Sequence, residues 1–493
     1  MKKVVICGGG IAGLTAGIYA QQAGFATEIY EKNALPGGEC TGWARQGYHI
    51  DNCIHWLTGA QEGDSLYPVW QNIGALGPEI DLVKEDYFYG IESGGKTLFF
   101  YRDLARTQAE FCAAAPEDTA ELNRFFEMVK LAEQMTIPAD KPVCDLSPVQ
   151  LVRLGMQMSG IAKVTKEYGG ETVAEFAARF QNPLLRKLMG GYFAHNFLAS
   201  ILVLSYAFYT SGTAQLPVGG SAQMAQRIAA RYTALGGTLH TGCPVSRITQ
   251  ANGRATGLVL ADGSTVEADA VVCATDLAVT FGTLLPEALR PRALQRILCA
   301  PQSYKTNSAF QAMFGIQGTE PTGLHSGSVL FDCAPLAVGG KTETLMAGRL
   351  YDYDDTLYPA GHYVLQVNLI QGDEDFAHWQ TLAADKAGYQ AEKQRLAKEI
   401  CTRITAHYPQ LQGRLLLLDT VTPASYARWC GAYHGSYMSF YAQKGAKAIY
   451  LKNTVPGLGG LVLAGQWLQT NGGLPAAVTS GKFAAGRLQQ LLR

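Results

Sequence analysis

The sequence predicts an α/β protein in which a parallel-sheet unit is interleaved with an α+β unit. Three observations carry that prediction. The chain opens on an apolar strand, a glycine turn and an apolar helix; a second apolar strand, "AVVCATD", stands near its middle; and "LAGQWLQTNGGLPAAVTSGKFAA" closes it with strand, glycine loop and helix. Sheet character at the start, middle and end, with helical and mixed segments between, describes one discontinuous unit holding an insertion.

The first element is the most informative. In "KKVVICGGGIAGLTAGIYAQQAGFATEIYEKN", Lys3–Cys7 reads as a buried strand, Ile11–Ala23 as a helix, and Thr27–Tyr30 as a second strand ending in Glu31. Gly8, Gly10 and Gly13 fit the G-x-G-x-x-G pattern. The first permits a tight turn, the second lets backbone approach a pyrophosphate, and the third allows close helix–strand packing. A pyrophosphate gains from the unpaired N–H groups and dipole at a helix N-terminus, and Glu31 is placed to accept from ribose hydroxyls. A secretion signal would share the lysines and the apolar run but gives no reason for the glycines. The segment therefore predicts a bound dinucleotide.

Next comes "LPGGECTGWARQGYHIDNCIHWLTGA", rich in turn residues and aromatics. Residues 76–210 read as mostly helical, as in "AELNRFFEMVKLAEQM" and "VAEFAARF". "QLPVGGSAQMAQRIAARYTALGG" is a glycine turn feeding an amphipathic helix; the strands after it carry an Asp262-Gly263 hairpin signal and end at Ala270–Ala274. Residues 300–420 alternate strand-like runs, "YKTNSAFQAMFGI" and "HYVLQVNLI", with the helix "YQAEKQRLAKEICTRITAHY".

At 493 residues more than one structural unit is expected. A net charge of −1 offers no basic footprint, so nucleic acid is not an expected partner. Hydrophobic residues make up 47% and charged residues 16%, a balance that predicts a large apolar cavity or peripheral contact with a membrane. The most apolar stretch, "YFAHNFLASILVLSYAFYT", is interrupted by His195, Asn196, Ser200 and Ser205, which favours a buried or membrane-touching helix over a span. Eleven cysteines without a C-x-x-C pair indicate neither zinc nor a disulfide framework, and a reducing cytoplasm is the expected location. No metal-ligand cluster, Ser-His-Asp set or paired-carboxylate spacing stands out.

These patches, with "LPVGGSAQMAQRI" and "TPASYARWCGAYHGSYMSF", resemble the phytoene desaturase, carotenoid isomerase and retinol saturase-like group of the flavin amine oxidase superfamily. The resemblance implies FAD rather than NAD. It also implies a Rossmann-like FAD-binding domain, a parallel sheet plus antiparallel crossover, built from residues 1–75, 211–300 and 418–493. Residues 76–210 and 301–417 would form the substrate-binding domain. Gly8, Gly10 and Gly13 would hold the pyrophosphate, Glu31 with neighbouring Lys32 the adenosine end, and Gly37 and Gly38 would pass beside the diphosphate. Where relatives commonly continue with arginine this chain has Glu39, which must turn away or pair with a base such as Arg45. Val245 would offer backbone bonds to adenine, and Thr275 would line the cofactor. Gly465 precedes Gln466, which stands where relatives often carry aspartate. Gly473, Leu474 and Ala476 would bring a helix N-terminus to the flavin's pyrimidine edge.

For catalysis, His55 is a candidate general acid or covalent flavin attachment, with a hydrogen-bonded histidine in a packed turn as the alternative. Cys53 falls where relatives often have glycine and is a second, weaker tether candidate. His434 and Tyr437 are candidate proton donors. The function implied is hydride exchange at flavin N5 with carbon–carbon bonds of a lipophilic, isoprenoid-like unsaturated substrate, as desaturation, saturation or isomerisation. Two alternatives stay open: an amine as substrate, and a flavin-holding protein that sequesters a lipid without chemistry. No second complete dinucleotide fingerprint is present, so an external electron donor or acceptor would have to reach the flavin by the substrate route.

Overall fold

The computed structural model describes residues 1–492. Its first sheet is organised around the strand Lys3–Cys7, whose four residues after Lys3 are fully buried. On one side that strand pairs in parallel with Ala26–Tyr30 and then Thr238–His240; on the other it pairs with Ala270–Cys273 and then Leu458–Leu463. Val, Ile and Leu dominate these strands because both faces are covered, one by helices such as Ile11–Gln22 and the other by residues such as Ile248, Leu258 and Phe281, so no polar alternation is needed. Strands Val245–Ala251, Arg254–Leu260 and Thr265–Glu267 form an antiparallel meander at one edge, turning at Gly263 (φ +86°) as the Asp-Gly signal predicts.

Helix Ile11–Gln22 is covered by the C-terminal helix Leu474–Leu492. Their crossing is close: a Cβ on Gly481 would lie 2.5 Å from the Ala12 carbonyl oxygen. The beginning and end of the chain therefore share one core, with Leu14, Ile18, Val478 and Leu488 inside it.

A seven-stranded sheet lies apart from the first. Its order is Leu415–Val421, Asn307–Ile316, Tyr363–Gly372, Lys341–Tyr351, Gly327–Val338, Tyr87–Ser93 and Lys96–Tyr101. Residues 76–210 are mostly helical as expected, but the last two strands, which the sequence reading did not foresee, also lie within them. "YFYGIES" and "KTLFFY" are aromatic β-formers joined by Gly94 and Gly95, both at positive φ, which closes a two-residue hairpin. The apolar stretch at 192–210 is likewise helical only over Ser200–Thr210. Among the described residues no helix is long and apolar enough to cross a membrane. Helices between residues 104 and 210 pack over the aromatic hairpin, burying Phe88, Phe100, Phe125 and Tyr206 in a second core.

Candidate functional site: a glycine-lined cavity between two sheets

Between the sheets lies a cavity of about 1510 Å³, larger than the roughly 300–1,000 Å³ of a pocket for one ordinary ligand. One end is the glycine turn. Gly8 sits at φ +101° and donates its N–H to the Tyr30 carbonyl at 2.9 Å, folding the chain back from strand to helix. Gly13 lies behind the turn, where a Cβ would come within 2.0 Å of the Gly8 carbonyl oxygen. Gly10 is different: a Cβ there would meet nothing nearer than 3.8 Å, on Gly38. Gly10 bridges Gly37 backbone to backbone and has no side-chain cap, leaving the first N–H groups of Ile11–Gln22 without a side-chain partner on a stretch that lines the cavity. Such a bare helix N-terminus fits a phosphate.

Glu31, 5% exposed, accepts N–H bonds from Gly9 at 2.7 Å and Asn33 at 2.9 Å. Each carboxylate oxygen retains a lone pair for a further donor. Lys32, Gly37, Gly38, Glu39, Val245, Thr275, Gly465, Gln466, Gly473, Leu474 and Ala476 all line the same cavity. The sequence thus places the glycine cradle, an acidic residue at its far end and a second helix N-terminus on one wall. That set fits an extended dinucleotide.

Glu39 neither pairs with Arg45 nor turns away from the cavity, contrary to both expectations for it. Arg45 Nε lies 3.1 Å from Asp419, while Glu39 turns inward and accepts from the Gln466 amide. Gln466 also accepts from Gly473 N–H at 2.9 Å, so the two departures from the relatives' pattern form one hydrogen-bonded unit. Burial, and then the nearby Asp276 carboxylate, push Glu39 well above the usual carboxylate range. Asp276 itself is raised to about 6, chiefly by burial, although it accepts from Ala278 N–H at 2.6 Å and Tyr433 N–H at 2.7 Å.

His55 lines the cavity, and burial followed by the Arg349 charge lowers it to about 3, so it is neutral at physiological pH. Tyr437 also lines the cavity, and burial raises its hydroxyl, keeping it protonated. His434 is not among the lining residues: its Nδ1 lies 3.3 Å from Asp373 and its ring stacks on Tyr433. Among the described residues no group of His, Cys, Asp or Glu is placed to hold a metal.

The cavity floor was not anticipated. Arg349 pairs in register with Gln366 and with Ser328, and Asn368 with Gln311, so two adjacent rows of polar residues cross the second sheet on one face. Arg349 is 4% exposed and reaches Glu85 at 2.9 Å and Ser328 at 3.0 Å. A signal existed in "VLQVNL", where Gln366 and Asn368 alternate with apolar residues and must share a face.

The comparisons with known proteins agree with this geometry. Residues 11–489 match the family described as flavin containing amine oxidoreductase. The chain is 25% identical, over 98% of its length and 96% of the relative's, to the lycopene-forming phytoene desaturase of Paracoccus sp.. It is 22% identical, over 98% and 79%, to the chloroplastic prolycopene isomerase of Daucus carota. Among solved structures, putrescine oxidase bound to putrescine aligns at a TM-score of 0.60 and 16% identity over 99% of both chains. An oxidoreductase from Methanosarcina mazei aligns at 0.60 and 16%, covering 99% of this chain and 100% of the other. With its glycine cradle, two helix N-termini and family match in register, the chain belongs to the flavin containing amine oxidoreductase family and is an FAD-dependent oxidoreductase.

Proposed function

We propose that this enzyme acts on carbon–carbon bonds of a lipophilic, isoprenoid-like unsaturated substrate drawn from a membrane surface. The observation that carries the reading is the continuity of one cavity from the glycine cradle to an apolar end walled by Met135, Ile137, Leu154 and Met158. Leu154 belongs to the helix Pro148–Gln157, whose other apolar residues face outward: Val149 is 78%, Val152 64% and Met156 66% exposed. Exposed Arg153 lies on the same helix, and exposed Lys163 and Lys166 on the next, Ser159–Tyr168. An exposed apolar helix face with cations on it and on the next helix suits an anionic lipid surface, and substrate leaving that surface would meet the cavity directly. Two relatives named for phytoene and prolycopene support the substrate class.

FAD, when bound, supplies hydride exchange at N5. The chain's own residues hold it and set the surroundings. Gly8, Gly10, Gly37 and Gly38 would bring backbone to its diphosphate, and Glu31 would hold its ribose. Neutral His55 presents an uncharged N–H and nitrogen lone pair, while protonated Tyr437 is a proton donor beside the chamber. Tyr192, Phe193 and Phe208 exclude water along the route.

The test is anaerobic titration of the purified yellow protein with polyenes, retinoids, steroids and amines, delivered in anionic vesicles. Bleaching by a polyene or retinoid, or reoxidation of reduced flavin by one, supports the reading. Response to amines alone would replace it with the amine oxidase alternative, and a colourless protein would leave only lipid sequestration.

A further inference from the structure

The hairpin beside the Gly37–Gly38 cradle brings two cysteines together. Its strands, Gly42–Arg45 and Tyr48–Asp51, pair Gly42 with Asp51, and the Asn52 N–H donates to the Thr41 carbonyl at 3.2 Å, extending the register one step. Thr41 and Asn52 are therefore a hydrogen-bonded pair, and Cys40 and Cys53 are the residues one step beyond it, each in a bend, where a continued ladder would have its next non-hydrogen-bonded position. Opposed residues at such positions have Cα atoms about 4.5 Å apart, within the roughly 4.4–6.8 Å spanned by disulfides. The two side chains share one neighbourhood: Cys40 Sγ donates to the Ser221 carbonyl at 3.6 Å, the Cys53 N–H donates to the Asp51 carboxylate that also accepts from the Ser221 hydroxyl, and the Cys53 thiol is within electrostatic reach of Cys40. Both are free thiols, and both line the cavity together with Gly10, Gly38 and Glu39.

We propose that Cys40 and Cys53 are a redox-active dithiol that exchanges an electron pair with the bound flavin. Joining the sulfurs releases two electrons and two protons; oxidised flavin takes both electrons and one proton, and the second proton leaves to water. The pair is restored by a small dithiol entering the cavity, which becomes a disulfide as the protein's S–S bond breaks and both thiols regain their protons. This gives the enzyme a thiol-class electron source.

The surroundings favour a reducing pair. The Asp51 carboxylate accepts the Cys53 N–H at 3.1 Å, and Glu39 stands nearby. The Cys40 contact, burial and those carboxylates hold the Cys53 thiol well above the usual range. Oxidising dithiols owe their potential to a stabilised thiolate, and burial denies that stabilisation here.

The proposal rests on the flavin reading, and its test separates the two. Flavin-loaded protein is equilibrated anaerobically in buffers of reduced and oxidised dithiothreitol, quenched in acid, alkylated and peptide-mapped. The expected result is a disulfide joining Cys40 to Cys53 in oxidising buffer and two alkylated thiols in reducing buffer, with exposed Cys299 alkylated throughout. Reduced dithiothreitol should bleach wild-type flavin at least tenfold faster than that of Cys53→Ser or Cys40→Ser. Absence of the disulfide at every buffer ratio overturns the proposal, even if neither serine variant folds. Equal bleaching rates in wild type and Cys53→Ser overturn it too. Protein that never retains flavin would sink the cofactor reading itself, whereas a missing disulfide in loaded protein sinks only the dithiol.

Discussion

Replacing Gly10 with valine separates cofactor binding from folding. Gly10 has φ −72° and ψ 177°, extended backbone open to any residue. A Cβ there would lie 3.8 Å from Gly38 and 3.9 Å from the Gly37 carbonyl oxygen, ordinary contact distances. The fold therefore tolerates the side chain, and losing a glycine restricts the unfolded chain, so the flavin-free variant should match flavin-free wild type within about 1 kcal/mol. The added methyl groups instead occupy the gap beside the cradle through which a diphosphate must pass. Wild type at a free FAD concentration one hundred times Kd gains about 2.7 kcal/mol of stability, and Gly10→Val should gain none. The assay is thermal unfolding with and without FAD, together with flavin released from purified protein by acid. Gly13→Val is the contrast: with 2.0 Å to the Gly8 carbonyl it must open the turn and should lose the fold as well. A Gly10→Val protein purifying with full flavin content would refute the placement of the diphosphate at this turn.

Three further outcomes are expected. Burial raises the Asp276 carboxyl from 3.8 to about 6, so the flavin-free folded state holds that proton more tightly than the unfolded chain does. The resulting stability is present below about 3.8 and lost as pH climbs to about 6, about 3 kcal/mol in all, and urea unfolding of Asp276→Asn should lack that decline. Arg349→Leu leaves the buried Glu85 carboxylate uncompensated and should cost about 3–5 kcal/mol, with the Arg349→Leu/Glu85→Leu double variant recovering much of it in the same assay. Changing Val149, Val152 and Met156 to serine should weaken sedimentation with anionic vesicles by at least tenfold, since each removed side chain forfeits up to about 1.5–3 kcal/mol of burial; unchanged sedimentation would contradict the docking face.

The nucleotide-binding strands and helices were legible because their signals are local. Strand, glycine turn, helix and acidic residue follow one another within the first 31 positions, each shaped by its neighbours in sequence. What escaped was long-range. The hairpin at residues 87–101 carries clear β-formers, yet it joins a sheet whose other strands begin two hundred residues later, and the surrounding helical pattern masked it. The partner of Glu39 is Gln466, more than four hundred positions away, and no spacing rule could choose it over Arg45. His434 and Tyr437 share a short segment, yet only Tyr437 reaches the cavity, because His434 takes a left-handed conformation (φ 52°) that turns its ring onto Tyr433. Cys53 stands out in the sequence because relatives often have glycine there; its nearness to Cys40 needed the register of the hairpin between them.

The most direct measurement is a crystal structure of the purified protein with its cofactor. The account predicts an extended FAD whose diphosphate lies against Gly10, Gly37 and Gly38, with the ribose at Glu31 and the ring opening onto the chamber lined by His55 and Tyr437. A groove closed by side chains, or a diphosphate bound elsewhere, would contradict it.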